Sequence, residues 1–387
     1  MVVERSIQKY RKHITEDFSF HDSFPYNANP SEPIHNWCLI PESPSSTWAK
    51  AIIQRFGGNS TFIFDPFVGS GTVALESLRS NKHFLGGDIL PDLVIGTLAK
   101  VYASEIDSHL LGVYQKNLEG HIHEKVDSLS NLGALDEIGI TFLTDLQAYA
   151  LQHIKQRPYV FAVLAAIYQS IRDIKDDSTV GYWYLRYRNQ QRKITNDLLS
   201  EDTLDISKTR SVCLGDSCKI DWQRYLMELP LPQKKCGVMI TSCTYVDTAQ
   251  AMNLSVVLCR RLGTLATQFL DLASKYVHEE ENFRTHKFTK EFGIDDPSGE
   301  VNRYLDSLAN VLQSFHNIAD APSSVIITNE NPVINGIPAE LDLCICKIAE
   351  DIGYRVGRVI LTHYLKSPGT ITKQETARRG AFIELHF

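Results

Sequence analysis

The sequence predicts an α/β protein whose sheet is mostly parallel, closes on a C-terminal antiparallel hairpin and is interrupted by a helical insertion. Three observations predict it. Short apolar runs bounded by turn residues alternate with stretches of helical apolar spacing. Residues 97–204 carry helical spacing almost throughout. The chain ends on two strand-like runs, YRVGRVILTHYLK and GAFIELHF, spaced as a hairpin.

In chain order, residues 20–47 are rich in Pro, Asn, Ser and His and read as a loop-rich lead-in. TWAKAIIQRF (47–56) has helical spacing, with Ser46 or Thr47 as its cap. GGNS breaks the pattern, and TFIFDPF reads as a buried strand. TVALESLRSN is the next helix and HFLGGDI the next strand. After the helical middle, SVCLGDS (211–217), CGVMITS (236–242) and SSVIITNEN (323–331) are strands. YLDSLANVLQSFHNIA and ELDLCICKIAEDIG are helices, the second stopped by Gly353. The expected division is a first half of the core over 1–96, the helical insertion over 97–204 and a second half of the core over 205–387.

Composition narrows the function classes. The chain has 387 residues, 43% hydrophobic and 22% charged, with a net charge of −7. That is ordinary globular composition, and an acidic chain contacts nucleic acid through local patches, not its whole surface. Eight cysteines form no CxxC pair and sit near no zinc-spaced His pair, so they read as reduced thiols of a cytoplasmic protein with no metal site. The first twenty residues are charged and lack the apolar core of a signal peptide, and no apolar run reaches the ~18 residues of a membrane span.

The chemistry concentrates at strand ends. In FDPFVGSGTVALES (64–77) a strand enters a turn with Gly69 and Gly71, and a helix leaves at Thr72. Glycines let backbone approach a ligand, and the helix N-terminus offers free N–H groups. No Lys follows the second glycine, which excludes the GKS/GKT phosphate loop, and the three-glycine dinucleotide pattern is absent. Asp88 ends the next strand, where an acid accepts hydrogen bonds from ribose hydroxyls; a helix cap before ILPDL is the other reading. Asp216 and Ser217 end a third strand.

DPFVGSGTVALES, GGDI, LGDS and TSCTYVD, in this order, resemble the motifs of S-adenosylmethionine-dependent amino-methyltransferases acting on DNA. The cytosine-N4 type is the most similar, with the adenine-N6 type next. The resemblance covers the segments 35–96 and 210–387. It implies a Rossmann-like class I methyltransferase sheet. It also implies S-adenosyl-L-methionine as cofactor, held by Asp65, Phe67, Gly69, Gly71 and Thr72 at the methionine end, Asp88 at the ribose and Asp216 near the adenine. IHNWCLIPES (34–43) looks like a worn form of the family's first cofactor motif, which brings in His35 and Trp37. The substrate it implies is double-stranded DNA with the target base flipped out. A cognate restriction endonuclease or other defence protein is a partner of the kind such enzymes have.

The stretch TSCTYVD departs from the family's TSPPY: Ser242 and Tyr245 match, while Cys243 and Thr244 replace two prolines. Amine methylation needs acceptors for the amino hydrogens and an aromatic ring that stacks on the flipped base. By resemblance the Ser242 hydroxyl and the Cys243 carbonyl accept, and Tyr245 stacks. Every residue has a carbonyl, so losing proline relaxes the loop, at ~0.4–1 kcal/mol per site, without removing a reacting group. Three readings stay open: an active amino-methyltransferase, a cofactor- or DNA-binding protein with little turnover, and ring-carbon methylation with Cys243 as nucleophile and Glu330 as acid. An RNA base is an alternative substrate.

GYWYLRYRNQQRK (181–193) interleaves four aromatics with Arg186, Arg188, Arg192 and Lys193. Basic groups neutralise phosphates and aromatics stack on bases, so this stretch of the insertion is the expected DNA contact. A helix with an aromatic core face and a solvated basic face explains it equally. Arg378 and Arg379 form a second basic cluster, read as an exposed turn.

Overall fold

The computed structural model describes residues 7–17, 32–40, 43–58, 60, 62–129, 137–172, 179–200, 208–230, 235–242, 262–263, 266–267, 270–272, 288–292, 294, 296, 299–334, 337–364 and 379–387. Its strands are β1 (Ile14–Glu16), β2 (Phe62–Asp65), β3 (His83–Asp88), β4 (Arg210–Leu214), β5 (Cys236–Ser242), β6 (Asp271–Leu272), β7 (Ala319–Glu330), β8 (Val333–Ile334), β9 (Ile337–Pro338), β10 (Arg355–Tyr364) and β11 (Arg379–His386). Its helices are α1 (Ser46–Phe56), α2 (Thr72–Arg79), α3 (Pro91–Val101), α4 (Ser108–Leu129), α5 (Glu137–His153), α6 (Arg157–Arg172), α7 (Val180–Ser200), α8 (Trp222–Glu228), α9 (Phe288–Phe292), α10 (Glu300–Ile318) and α11 (Leu341–Ile352).

Apolar runs that alternate with helices must be covered on both faces, and β2 shows it: all four of its residues are buried. The main sheet runs β1-β10-β11-β7-β5-β2-β3-β4-β6. The chain steps outward from β2 to β3 to β4, then crosses back to place β5 on the other side of β2, all in parallel. That reversal opens a crevice at the carboxyl ends of β2 and β5, where α/β sheets bind ligands. β7 continues in parallel beside β5. The expected hairpin is present, and its second strand, β11, lies antiparallel between β7 and β10. The short edge strand β1 pairs with β10 and was not evident in the charged N-terminal sequence. The fold is thus α/β, with a Rossmann-like, mostly parallel sheet.

One local expectation needs correcting. The cap of α1 is Ser45, not Ser46 or Thr47: Ser45 is extended, and its hydroxyl accepts from the Trp48 N–H at 3.1 Å, whereas Ser46 is already helical.

Two apolar cores flank the sheet. On one face, α1, α2 and α3 pack with the lead-in Trp37 and with residues 103–194, in a core that includes Trp183, Tyr187 and the sheet residues Val238 and Ile240. On the other, α8, α10 and α11 cover Phe64, Leu85, Met239 and Val325. The lead-in is pinned to α7 by Asp197, which accepts from the Trp37 indole at 2.8 Å and the Ile34 N–H at 2.9 Å. No helix among the described residues is long and apolar enough to cross a membrane.

Candidate active site at the switch point of the sheet

The turn between β2 and α2 is shaped by two glycines in the left-handed region, Gly69 at φ +52° and Gly71 at φ +78°. Gly71 is also the N-cap of α2, and no side chain caps that helix. Its first N–H groups therefore have no capping side chain, at the positive end of the helix dipole.

The strand-end acids converge on this turn. Asp88 accepts from the Gly69 N–H and from the Leu90 N–H, both at 2.9 Å. The N-cap of α3 is Leu90, so Asp88 does not fill the helix-cap role considered from sequence. Burial pushes its carboxyl up to about 6, against the pull of those N–H groups. A carboxylate has about four acceptor sites, so these two N–H donors and that of Ile89 leave capacity for a hydroxyl. Asp65 is buried at the end of β2 and accepts from the Thr241 hydroxyl at 2.7 Å and the Phe67 N–H at 3.1 Å. Burial pushes it up to about 7, and the two hydrogen bonds oppose that rise. Asp216, half-buried, accepts from the Cys218 N–H at 3.1 Å, and the Gly215 N–H donates to the Asp88 carbonyl at 2.9 Å, which links the ends of β3 and β4. Phe67 is half-buried, and Thr72 is buried with its hydroxyl 3.2 Å from that of Ser70.

Ser242 is the last residue of β5, half-buried and in register with Thr328 of β7. It lies next to Thr241, so the end of β5 and the glycine turn are joined through Asp65. Cys243 and Tyr245 lie outside the described residues, as does Arg378. Glu330 is half-buried at the end of β7.

His35 is buried with its Nε2 2.8 Å from Glu76 of α2. Burial holds His35 below its ordinary value despite that contact. Burial raises Glu76, but hydrogen bonds from His35 and Arg79 outweigh it and hold the carboxyl below its ordinary value. The lead-in is therefore tied to the helix that leaves the glycine turn.

The chain is 28% identical over 220 residues to the Type II methyltransferase M.BsoBI of Geobacillus stearothermophilus. The match covers 54% of this chain and 43% of that protein, so the chain spans less than half the length of the curated relative it matches. No protein-family model matches the chain. Together with the strand order, the similarity supports a relationship to S-adenosylmethionine-dependent methyltransferases.

On α7, Trp183 and Tyr187 belong to the core, their rings stacked at 5.3 Å. Tyr182 and Tyr184 instead stand beside Arg186 and Arg188, at 6.0 and 5.8 Å from the guanidinium to the ring. Arg188 also pairs with Glu119 at 3.4 Å, Lys193 is half-buried and Arg192 is exposed. The aromatic core face explains half of this motif; of the basic residues, Arg186 donates to the Ser170 carbonyl of α6 at 3.1 Å.

Sequence reading missed the polar groups of the apolar helix α3. Thr97 donates to the Gly69 carbonyl at 3.3 Å, and Lys100 donates to the carbonyls of Ser70, at 2.6 Å, and Cys38, at 2.8 Å. The available signal was a Thr and a Lys three residues apart in the otherwise apolar LVIGTLAKV.

Proposed function

We propose that this chain transfers a methyl group from S-adenosyl-L-methionine to an exocyclic amine of a DNA base, cytosine N4 before adenine N6. The observation that supports the reading is the order β5-β2-β3-β4, in which Ser242, the glycine turn, Asp88 and Asp216 stand at the carboxyl ends of adjacent parallel strands. Similarity to a Type II methyltransferase favours DNA as the substrate class.

The site suits the cofactor: an uncapped helix N-terminus and a close-approach turn for its amino-acid end, and spare acceptor capacity on Asp88 for its ribose. Bound there, the cofactor supplies an activated methyl group on a sulfonium. Gly69, Gly71 and Thr72 hold the amino-acid end, with Asp65 and Phe67 behind them. Asp216 receives the adenine side. Ser242 and the Cys243 carbonyl accept the hydrogens of the target amine, which favours a tetrahedral nitrogen with its lone pair free for in-line attack. Tyr245 stacks on the flipped base. Arg186, Arg188, Arg192 and Lys193 contact phosphates, and segment 97–204 is the target-recognition region between the two halves of the core, 1–96 and 205–387. A cognate restriction endonuclease is the partner this reading favours.

The test is transfer of a labelled methyl group to mixed genomic DNA, with product nucleosides identified by mass spectrometry. N4-methylcytosine or N6-methyladenine is expected. 5-Methylcytosine would reassign the chemistry to Cys243, with Glu330 as the acid. Cofactor binding without labelled DNA or RNA would favour a binding protein that does not turn over.

A further inference from the structure

Lys100 is fully buried, and its ammonium sits on two backbone carbonyls, Ser70 of the glycine turn and Cys38 of the lead-in. Among the described residues, no carboxylate lies within ion-pair distance of it. The titratable and charged groups that face it are Cys38 and Glu32 from the lead-in, Arg79 of α2 and Arg172 of α6. Both arginines have carboxylates of their own, Arg79 with Glu76 and Arg172 with Asp92. A buried ammonium that meets only neutral carbonyls retains an uncompensated charge, an expensive arrangement unless an anion completes it. The same point of the turn is the uncapped N-terminus of α2, whose dipole adds positive potential. A lodged cation and an open helix end thus meet at the same point of the turn, residues 70–72.

Resting on the cofactor reading above, we propose that Lys100 is a positioning residue for the carboxylate of the cofactor's amino-acid end. It acts through the turn it braces, and its charge is matched when that carboxylate arrives. This sets which end of the cofactor enters the turn, and it gives the lead-in a part in binding, because Lys100 holds Cys38 and Ser70 together.

Calorimetry with S-adenosylhomocysteine and with its carboxamide, which differs only in a neutral amide in place of the carboxylate, tests the proposal. Wild-type protein is expected to bind the carboxylate form about tenfold or more tightly than the carboxamide, a difference of about 1.4 kcal/mol or more. Lys100→Met is expected to abolish that preference by weakening only the carboxylate form. Lys100→Gln, which keeps a donor for the carbonyls but no charge, is expected to behave as Lys100→Met does. Equal wild-type affinities for the two compounds overturn the proposal and need no variant. So does a parallel loss of both in the variants, or a restored preference in Lys100→Gln, since each reduces Lys100 to a structural strut. Wild-type protein that binds neither compound overturns the cofactor reading as well.

Discussion

Gly69 and Gly71 both adopt positive φ, yet alanine has different consequences at the two positions. At Gly71 an added Cβ would lie 2.5 Å from the Thr97 Oγ1, 2.8 Å from its Cγ2 and 2.9 Å from its Cβ. At Gly69 the nearest atoms, the Ile40 Cδ1 and the Phe67 carbonyl oxygen, are 3.8 Å away. Both substitutions place a side chain in the left-handed region, at about 1–2 kcal/mol. Only Gly71→Ala adds overpacking against α3, about 1–3 kcal/mol more. The expected destabilisation is therefore ~1–2 kcal/mol for Gly69→Ala and ~2–5 kcal/mol for Gly71→Ala, within the ~5–15 kcal/mol of a typical domain. Urea unfolding of the two variants measures the difference directly. Thr97→Ala in the Gly71→Ala background is expected to recover the packing share and leave the backbone share. If Gly71→Ala is no more destabilising than Gly69→Ala, the close packing of α3 against the turn is refuted.

Further outcomes follow from the same site. The Asp65 carboxyl rises from 3.8 to about 7 on folding, so the folded chain binds the extra proton between those values and stability falls as pH rises through about 7. Asp65→Asn removes this dependence, with a ceiling on the order of 4 kcal/mol above pH 7; an unchanged difference between variant and wild type from pH 5 to 8 would count against the burial of an ionisable Asp65. Asp88→Ala takes the acceptor from the Gly69 N–H and, under the cofactor reading, from the ribose, so cofactor affinity by calorimetry is expected to drop about tenfold or more; unchanged affinity would remove the ribose role. Ser242→Ala is expected to lower methyl transfer while cofactor affinity holds, and Cys243→Ser to retain most activity. Abolished transfer in a folded Cys243→Ser variant would instead indicate a thiolate mechanism.

The sheet was legible because its signals are local. FIFD, HFLGGD and CGVMITS are apolar runs with turn residues at their ends, and each formed the strand its pattern predicted. The glycine turn was legible for the same reason. What escaped were relations between distant residues. Ile14–Glu16 is a strand only because the edge of β10 is open to it. Thr241 was one more polar residue in a strand until the sheet brought it 2.7 Å from Asp65. Lys100 had only its apolar helix as a signal, which is easily passed over because a lysine at a helix end usually extends into water. Trp183 and Tyr187 show the converse limit: spacing alone did not separate an aromatic core face from a stacking surface.

The adjacency of β3 and β4 has a consequence for how the chain folds and varies. They pair residue by residue, Asp88 with Leu214, although residues 89–209 separate the two strands in the chain and no strand lies among the described ones of that segment. Loop-closure entropy grows only with the logarithm of length, at ~0.6 kcal/mol per doubling, so the size of this excursion has little effect on equilibrium stability. It bears on rate instead, since a distant pairing waits until the intervening chain has condensed. Contacts among α4 to α7 are closer in sequence and precede that pairing. Changes to the outward surface of these helices therefore leave the strand register untouched. Changes on the face of α3 that carries Thr97 and Lys100 reach the glycine turn at once.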